Sequence, residues 1–121
     1  MDKTDKKVTV QELKDAIEKF IADREWQQFH NAKNLSMAIS VEAAELMEHF
    51  LWIDPKDVDE HLDKKREDVE DEVVDIAWMI LCLCNRYNID LSAAIERKAQ
   101  KNAAKYPVEK SKGRSTKYTE L

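Results

Sequence analysis

Glycine is nearly absent from this chain: Gly113 is the only one in 121 residues, beside two prolines, Pro55 and Pro107. An all-β chain draws on Gly, Pro and Asn for its many tight turns, and a P-loop or dinucleotide cradle needs several glycines at fixed spacing. Both classes are excluded. Cysteine is scarce too, at two. Cys82 and Cys84 stand two apart, so a helix turns them to opposite sides, and no CxxC metal or redox pattern results. They read as buried free thiols of a reducing compartment. There is no excess of positive charge, with 20 Lys and Arg against 25 Asp and Glu and a net charge of −5. No broad basic face is expected, and no nucleic acid partner. The longest apolar run, 76–84, is nine residues, far short of the roughly 20 that span a bilayer. The opening Met1-Asp2-Lys3-Thr4-Asp5-Lys6-Lys7 lacks the apolar stretch of a secretory signal. A cytoplasmic protein with no membrane partner is expected.

What is present is charge mixed with apolar residues, 37% and 43% of the chain, the balance of long amphipathic helices. The spacing predicts an all-α chain with a flexible N-terminus over 1–8, a helical domain over 9–106 and a C-terminal tail over 107–121. Thr9 caps a first helix with Glu12 as its capping-box partner, and Leu13, Ile17, Phe20, Ile21 and Phe29 carry the helical period to about 29. A connector over 30–33 leads to a second helix over 34–52. Asp54-Pro55 breaks it and opens a short turn to 61. A third helix spans about 64–87, acidic first and then apolar on every side. A helix apolar all round is buried all round, so 76–84 is expected to be partly covered by another subunit. Asp90 caps a fourth helix that stops before Pro107.

The informative feature is a pair of pairs. Glu42 and Glu45 stand three apart in the second helix, and Glu72 and Asp75 three apart in the third, so each pair shares a helix face. Small and apolar residues interleave with Glu42 and Glu45, which places these acids on or beside faces that pack. If the two helices are antiparallel neighbours, the four carboxylates converge. Two like charges 5 Å apart repel by about 3 kcal/mol at an effective dielectric near 20. No Lys or Arg lies within four residues of Glu42 or Glu45, so a hard divalent cation, Mg²⁺ or Mn²⁺, is the natural compensation. A solvated acidic stripe is the bland alternative, and it fits Asp68, Glu70 and Asp71, near Lys64, Lys65 and Arg66. A di-iron carboxylate bundle fails for want of Glu-x-x-His pairs.

With the ExxE at 42–45 and the ExxD at 72–75, the chain resembles the MazG-like all-α nucleotide pyrophosphohydrolases. Arg24-Glu25-Trp26-Gln27-Gln28-Phe29-His30 with Lys33-Asn34-Leu35 is similar to the family's first-helix signature, and Phe50-Leu51-Trp52 follows the ExxE as in the family. Lys98, Asn102 and Lys105-Tyr106-Pro107 resemble its last-helix pattern. The tail from Ser115 to Leu121 is similar to the dCTP pyrophosphatase branch. The resemblance implies a four-helix fold, a tetramer of tight dimers, and hydrolysis of a nucleoside triphosphate, a dNTP such as dCTP, to the monophosphate and pyrophosphate. It implies that Glu42, Glu45, Glu72 and Asp75 hold Mg²⁺, that Trp26 and Trp52 line the base pocket, and that Lys98 and Asn102 lie near the nucleotide. Met79 and Ile17 depart from the Tyr and His that some relatives carry.

Physical chemistry adds roles beside the resemblance. A triphosphate meets an acidic pocket only with cations between them, and Lys98, with Lys33 or Lys105, would neutralise the leaving group. Lys98, Asn102 and Tyr106 are spaced by four, so one helix face presents all three. Glu45 is the favoured proton acceptor. Trp78 reads as core or interface, and His30 as a packing or turn-capping residue. Two alternatives remain: a same-family enzyme acting on dUTP or phosphoribosyl-ATP, and a non-catalytic helical assembly module.

Overall fold

The computed structural model describes residues 3–121. It is helical throughout, with no strand among the described residues, as the glycine-poor sequence requires. The α-helices are α1 (Val10–Asp23), α2 (Ala32–Glu48), α3 (Val58–Lys64), α4 (Arg66–Tyr87), α5 (Leu91–Lys105) and α6 (Val108–Ser111), joined by 3₁₀ turns at Gln27–Phe29, Pro55–Asp57 and Tyr118–Glu120. Two compact units form, one ending at Ile89 and one spanning Asp90–Leu121. No helix among the described residues is long and apolar enough to cross a membrane.

In the first unit α4 is the central element. Its largest contact is with α2, and α1 packs beside it. Both pairs are antiparallel. The Ala32 N–H at the start of α2 donates to the Tyr87 hydroxyl at the end of α4 (2.7 Å), and Asn85 of α4 donates to the Lys14 carbonyl near the start of α1 (2.9 Å). Ile17, Ile21, Leu35, Val69, Leu81, Cys82 and Cys84 form the buried core. Both thiols are buried and free, as expected. Burial, and then the Glu18 carboxylate, push the Cys82 thiol up to about 11, which makes it a packing residue and a poor nucleophile. Trp78 packs edge-on against Phe20, with ring centroids 5.2 Å apart. The run 76–84 is not buried all round within one chain: Ala77 is exposed, and Ile76, Trp78, Met79, Ile80 and Leu83 are half-buried.

Helix starts follow the sequence closely. The Thr9–Glu12 capping box is formed, with Glu12 N–H donating to Thr9 Oγ1 at 3.1 Å and Thr9 N–H to Glu12 Oε1 at 3.4 Å. Asp90 Oδ1 accepts from Ala93 N–H at 3.0 Å. Before α1, a turn closes where Lys7 and Val8 N–H donate to the Thr4 carbonyl.

Helix ends depart from expectation. α1 stops at Asp23, not near 29. Glu25 adopts a left-handed conformation (φ 54°). Trp26 N–H then reaches back to the Ile21 carbonyl and Glu25 N–H to the Ala22 carbonyl, the bond pair of a Schellman cap. The apolar contact that accompanies such caps is Trp26 edge-on to Phe20 at 5.9 Å. The Arg24 guanidinium covers the Phe20 ring at 3.5 Å. A glutamate holds a position that glycine usually fills, so no residue type announced the stop. α2 begins at Ala32, two residues early, because Asn31 Oδ1 accepts from Asn34 N–H (2.9 Å) and caps it. It ends at Glu48, not 52: residues 49–51 donate three residues back, and Trp52 turns left-handed (φ 63°). The short turn after Pro55 lengthens into the separate α3, which breaks from α4 at Lys65.

Candidate metal and nucleotide site

The antiparallel pairing of α2 and α4 brings the two acidic motifs face to face. Carboxylate oxygens of Glu42, Glu45 and Glu72 lie within 4.8 Å of one another. Asp75 stands outside that trio, yet near enough for its charge to act on both Glu42 and Glu72. Glu42 and Glu72 are half-buried. Their Oε2 atoms are enclosed and without a hydrogen-bond partner among the described residues.

Electrostatics register the crowding. Burial pushes the Glu42 carboxyl up to about 7, helped by its hydrogen bond with Glu45 and by the charges of Glu45, Asp75 and Glu72. Glu72 is raised as well, first by burial, then by Glu45 and Asp75, while His49 opposes the rise. No Lys or Arg compensates within the trio. Glu45, Glu48, His49 and Glu72 line an open basin, so two of the trio, Glu45 and Glu72, face a surface that a ligand can reach.

The donor set fits a hard divalent cation. It is all carboxylate, it comes from two helices held by their own packing, and it leaves two enclosed oxygens in need of a partner. An enclosed acceptor left unpaired costs about 1–3 kcal/mol, and a bound cation would remove that cost together with the mutual repulsion. Oxygen-only ligation suits Mg²⁺ or Mn²⁺ better than softer metals.

The other expected site residues fall in three places. Trp26 is partly exposed in the turn after α1, its ring on Phe20. Trp52 is 97% exposed, with its left-handed backbone just past α2. Lys33 lies exposed in the first turn of α2. Lys98 and Asn102 are exposed residues of α5 in the second unit. Tyr106 is not on the same helix face: it is the cap after Lys105, with φ −124° and ψ 68°, and its ring meets Tyr118 edge-on at 5.9 Å. Lys105 Nζ lies 4.7 Å from the Tyr118 ring centre. His30 serves its turn, its carbonyl accepting from Arg86 Nε at 3.2 Å.

Residues missed from the sequence are Glu48 and His49 at the basin. His49 Nε2 lies 4.0 Å from Glu72 Oε1. The signal was available, since His49 follows Glu42 by seven and Glu45 by four, spacings that share one helix face.

An all-helical chain with a cation-ready carboxylate cage between two antiparallel helices defines a narrow class, and comparison with known proteins places the chain within it. The MazG-like family model matches residues 37–121. The chain is 32% identical over 115 residues to dCTP pyrophosphatase 1 of Rattus norvegicus, covering 93% of this chain and 68% of that protein. The Homo sapiens dCTP pyrophosphatase 1 is 30% identical over the same shares. The structure resembles that of a pyrophosphatase from Archaeoglobus fulgidus, with a TM-score of 0.78, 38% identity, 80% of this chain covered and 91% of that one. The chain belongs to the MazG-like family, in its dCTP pyrophosphatase-like branch.

Proposed function

We propose that this chain is a Mg²⁺-dependent hydrolase that converts a dNTP, with dCTP or a related deoxynucleotide preferred, to dNMP and pyrophosphate, and so clears surplus or unwanted nucleotides. The coarser part, a nucleotide pyrophosphohydrolase, rests on family membership and on the relatives' common activity. The observation that carries the Mg²⁺ dependence is the trio of carboxylate oxygens within 4.8 Å, two of its members with enclosed and unpaired oxygens. The dCTP preference is supported by the relatives named dCTP pyrophosphatase 1.

Glu42, Glu45 and Glu72, with Asp75 at their edge, would hold the Mg²⁺. When bound, the cation supplies charge neutralisation for the phosphates and Lewis-acid polarisation of the reacting phosphoryl group. Glu45 takes the proton of the attacking water, whose oxygen joins the α-phosphorus as the α–β anhydride bond breaks and pyrophosphate leaves. Lys98, with Lys33 or Lys105, would neutralise the departing diphosphate, and Asn102 would lie near the nucleotide. Trp26 and Trp52 offer ring faces to the base, each worth roughly 1–3 kcal/mol by stacking. Trp52 suits this role because its exposed ring has no packing duty of its own.

We further assign an oligomer, built as a tetramer of tight dimers. It is supported by exposed apolar residues on the paired helices: Met37, Val41 and Met47 on α2, and Val73 and Val74 on α4. Single exposed apolar residues are ordinary, but a set on two adjacent helices marks an interaction surface. The two free thiols agree with the cytoplasm as its compartment.

The test is pyrophosphate release from dCTP, dTTP, dATP, dGTP, dUTP and phosphoribosyl-ATP, with and without Mg²⁺. Mg²⁺-dependent release, with dCTP among the best substrates, is the expected result. Release from none of them would leave the assembly-module alternative in place.

A further inference from the structure

His49 is anchored through its backbone and points its ring at the carboxylates. Its backbone carbonyl, at the C-terminal end of α2, lies 2.7 Å from His61 Nε2 on α3. A carbonyl only accepts, so His61 Nε2 carries the proton. The His61 ring is in turn steadied edge-on by Phe50 at 6.1 Å. The other end of His49, its imidazole, projects into the acidic basin beside Glu45 and Glu48. Its Nε2 is 4.0 Å from Glu72 Oε1, and both side chains are largely covered, at 24% and 21% exposure. The opposite oxygen, Glu72 Oε2, is enclosed and unpartnered among the described residues. One oxygen of Glu72 therefore faces an imidazole nitrogen, and the other is enclosed without a hydrogen-bond partner among the described residues.

We propose that His49 is a positioning residue of the carboxylate cage: its Nε2–H engages Glu72 Oε1 and so presents Oε2 to the divalent cation. Ligating carboxylates work best when a donor behind them fixes their orientation, and loss of such a donor typically weakens metal binding 10–100-fold. A contraction from 4.0 Å to hydrogen-bond length needs only a small side-chain rotation, and charge neutralisation by the cation removes the crowding that spreads the acids. α3 gains a role by this route, since His61 anchors the backbone from which His49 extends. The inference rests on the metal-cage assignment but not on the identity of the substrate.

The test uses the full chain and Mn²⁺ alone as probe. Mn²⁺ affinity is measured by calorimetry for the wild type, His49→Leu and His49→Gln, with helical content and melting checked by circular dichroism. His49→Leu is expected to weaken Mn²⁺ binding by about 10-fold or more, and His49→Gln, which keeps an N–H donor of similar reach, to recover most of that loss. In turnover, His49→Leu should raise the Mg²⁺ concentration needed for half-maximal rate while kcat at saturating Mg²⁺ stays near wild type. Equal Mn²⁺ affinity in the wild type and His49→Leu, or no advantage of Gln over Leu, would overturn the proposal, as would a wild type that binds no Mn²⁺. If Mn²⁺ binds as expected but no nucleotide is hydrolysed, the substrate assignment fails and the role of His49 stands.

Discussion

Glu42 on α2 and Glu72 on α4 bring carboxylate oxygens within 4.8 Å of each other across a helix pair, and each keeps an enclosed oxygen without a hydrogen-bond partner among the described residues. Two acids so placed oppose folding unless something positive joins them. In the metal-free chain such a pair costs stability, a cost that the proposed cation would offset.

Replacement of the shared neighbour tests this directly. Glu45 contributes to the raised proton affinity of both Glu42 and Glu72. Glu45→Gln should abolish turnover and weaken Mn²⁺ binding, while the metal-free variant melts at the wild-type temperature or above it, since one repelling charge is gone. Near-normal activity would show that the site is misassigned.

The pH dependence has a definite sign. Glu42 titrates near 7 in the folded chain against an ordinary value of 4.5. Below 4.5 it is protonated in both states and costs nothing. Between 4.5 and 7 the unfolded chain releases a proton that the folded chain keeps, so this group's contribution to stability falls as pH rises and is fully lost above 7. The raised Glu72 acts in the same direction. Melting of metal-free wild type and Glu42→Gln across pH 4.5–8 should show a gap in favour of the variant that opens as pH rises. Added Mn²⁺ should stabilise the wild type more at pH 8 than at pH 6, where the cation must displace the proton. A gap independent of pH would contradict the assignment.

Trp52 offers a separation of binding from folding. It is 97% exposed, so Trp52→Ala should leave the melting temperature almost unchanged. Loss of one stacking face, worth about 1–3 kcal/mol, should raise KM for the nucleotide on the order of 10-fold. Steady-state kinetics on the preferred dNTP provide the check, and an unchanged KM would remove Trp52 from the base site.

Assembly is tested by sedimentation. The wild type should run as an oligomer at micromolar concentration, and Met37→Glu, which puts a charge on the exposed apolar side of α2, should shift it to smaller species with helical content intact. A stable wild-type monomer would contradict the proposed tetramer.

Much of this was legible before the fold. Thr9 with Glu12 and Asp90 marked two helix starts through side-chain caps that are local in sequence, and the three-residue spacing of Glu42 with Glu45 and of Glu72 with Asp75 set each pair on one face. Helix ends were less legible. Glu25 and Trp52 take left-handed backbone without being glycine, and tertiary contacts, such as Trp26 on Phe20, decide where α1 stops. The spacing of His49 from Glu42 and Glu45 puts it on their helix face, but its approach to Glu72 depends on α4 lying opposite, a relation that no local spacing encodes. The run at 76–84 was read correctly as apolar, but its exposed Ala77 emerges only when one chain's own helices are counted against its surface.

The most direct measurement is anomalous diffraction at the manganese edge from crystals soaked in MnCl₂. A peak coordinated by oxygens of Glu42, Glu45 and Glu72 is the predicted result. Well-ordered carboxylates that turn apart toward solvent, with the manganese peak elsewhere or missing, would contradict the carboxylate cage and the hydrolase built upon it.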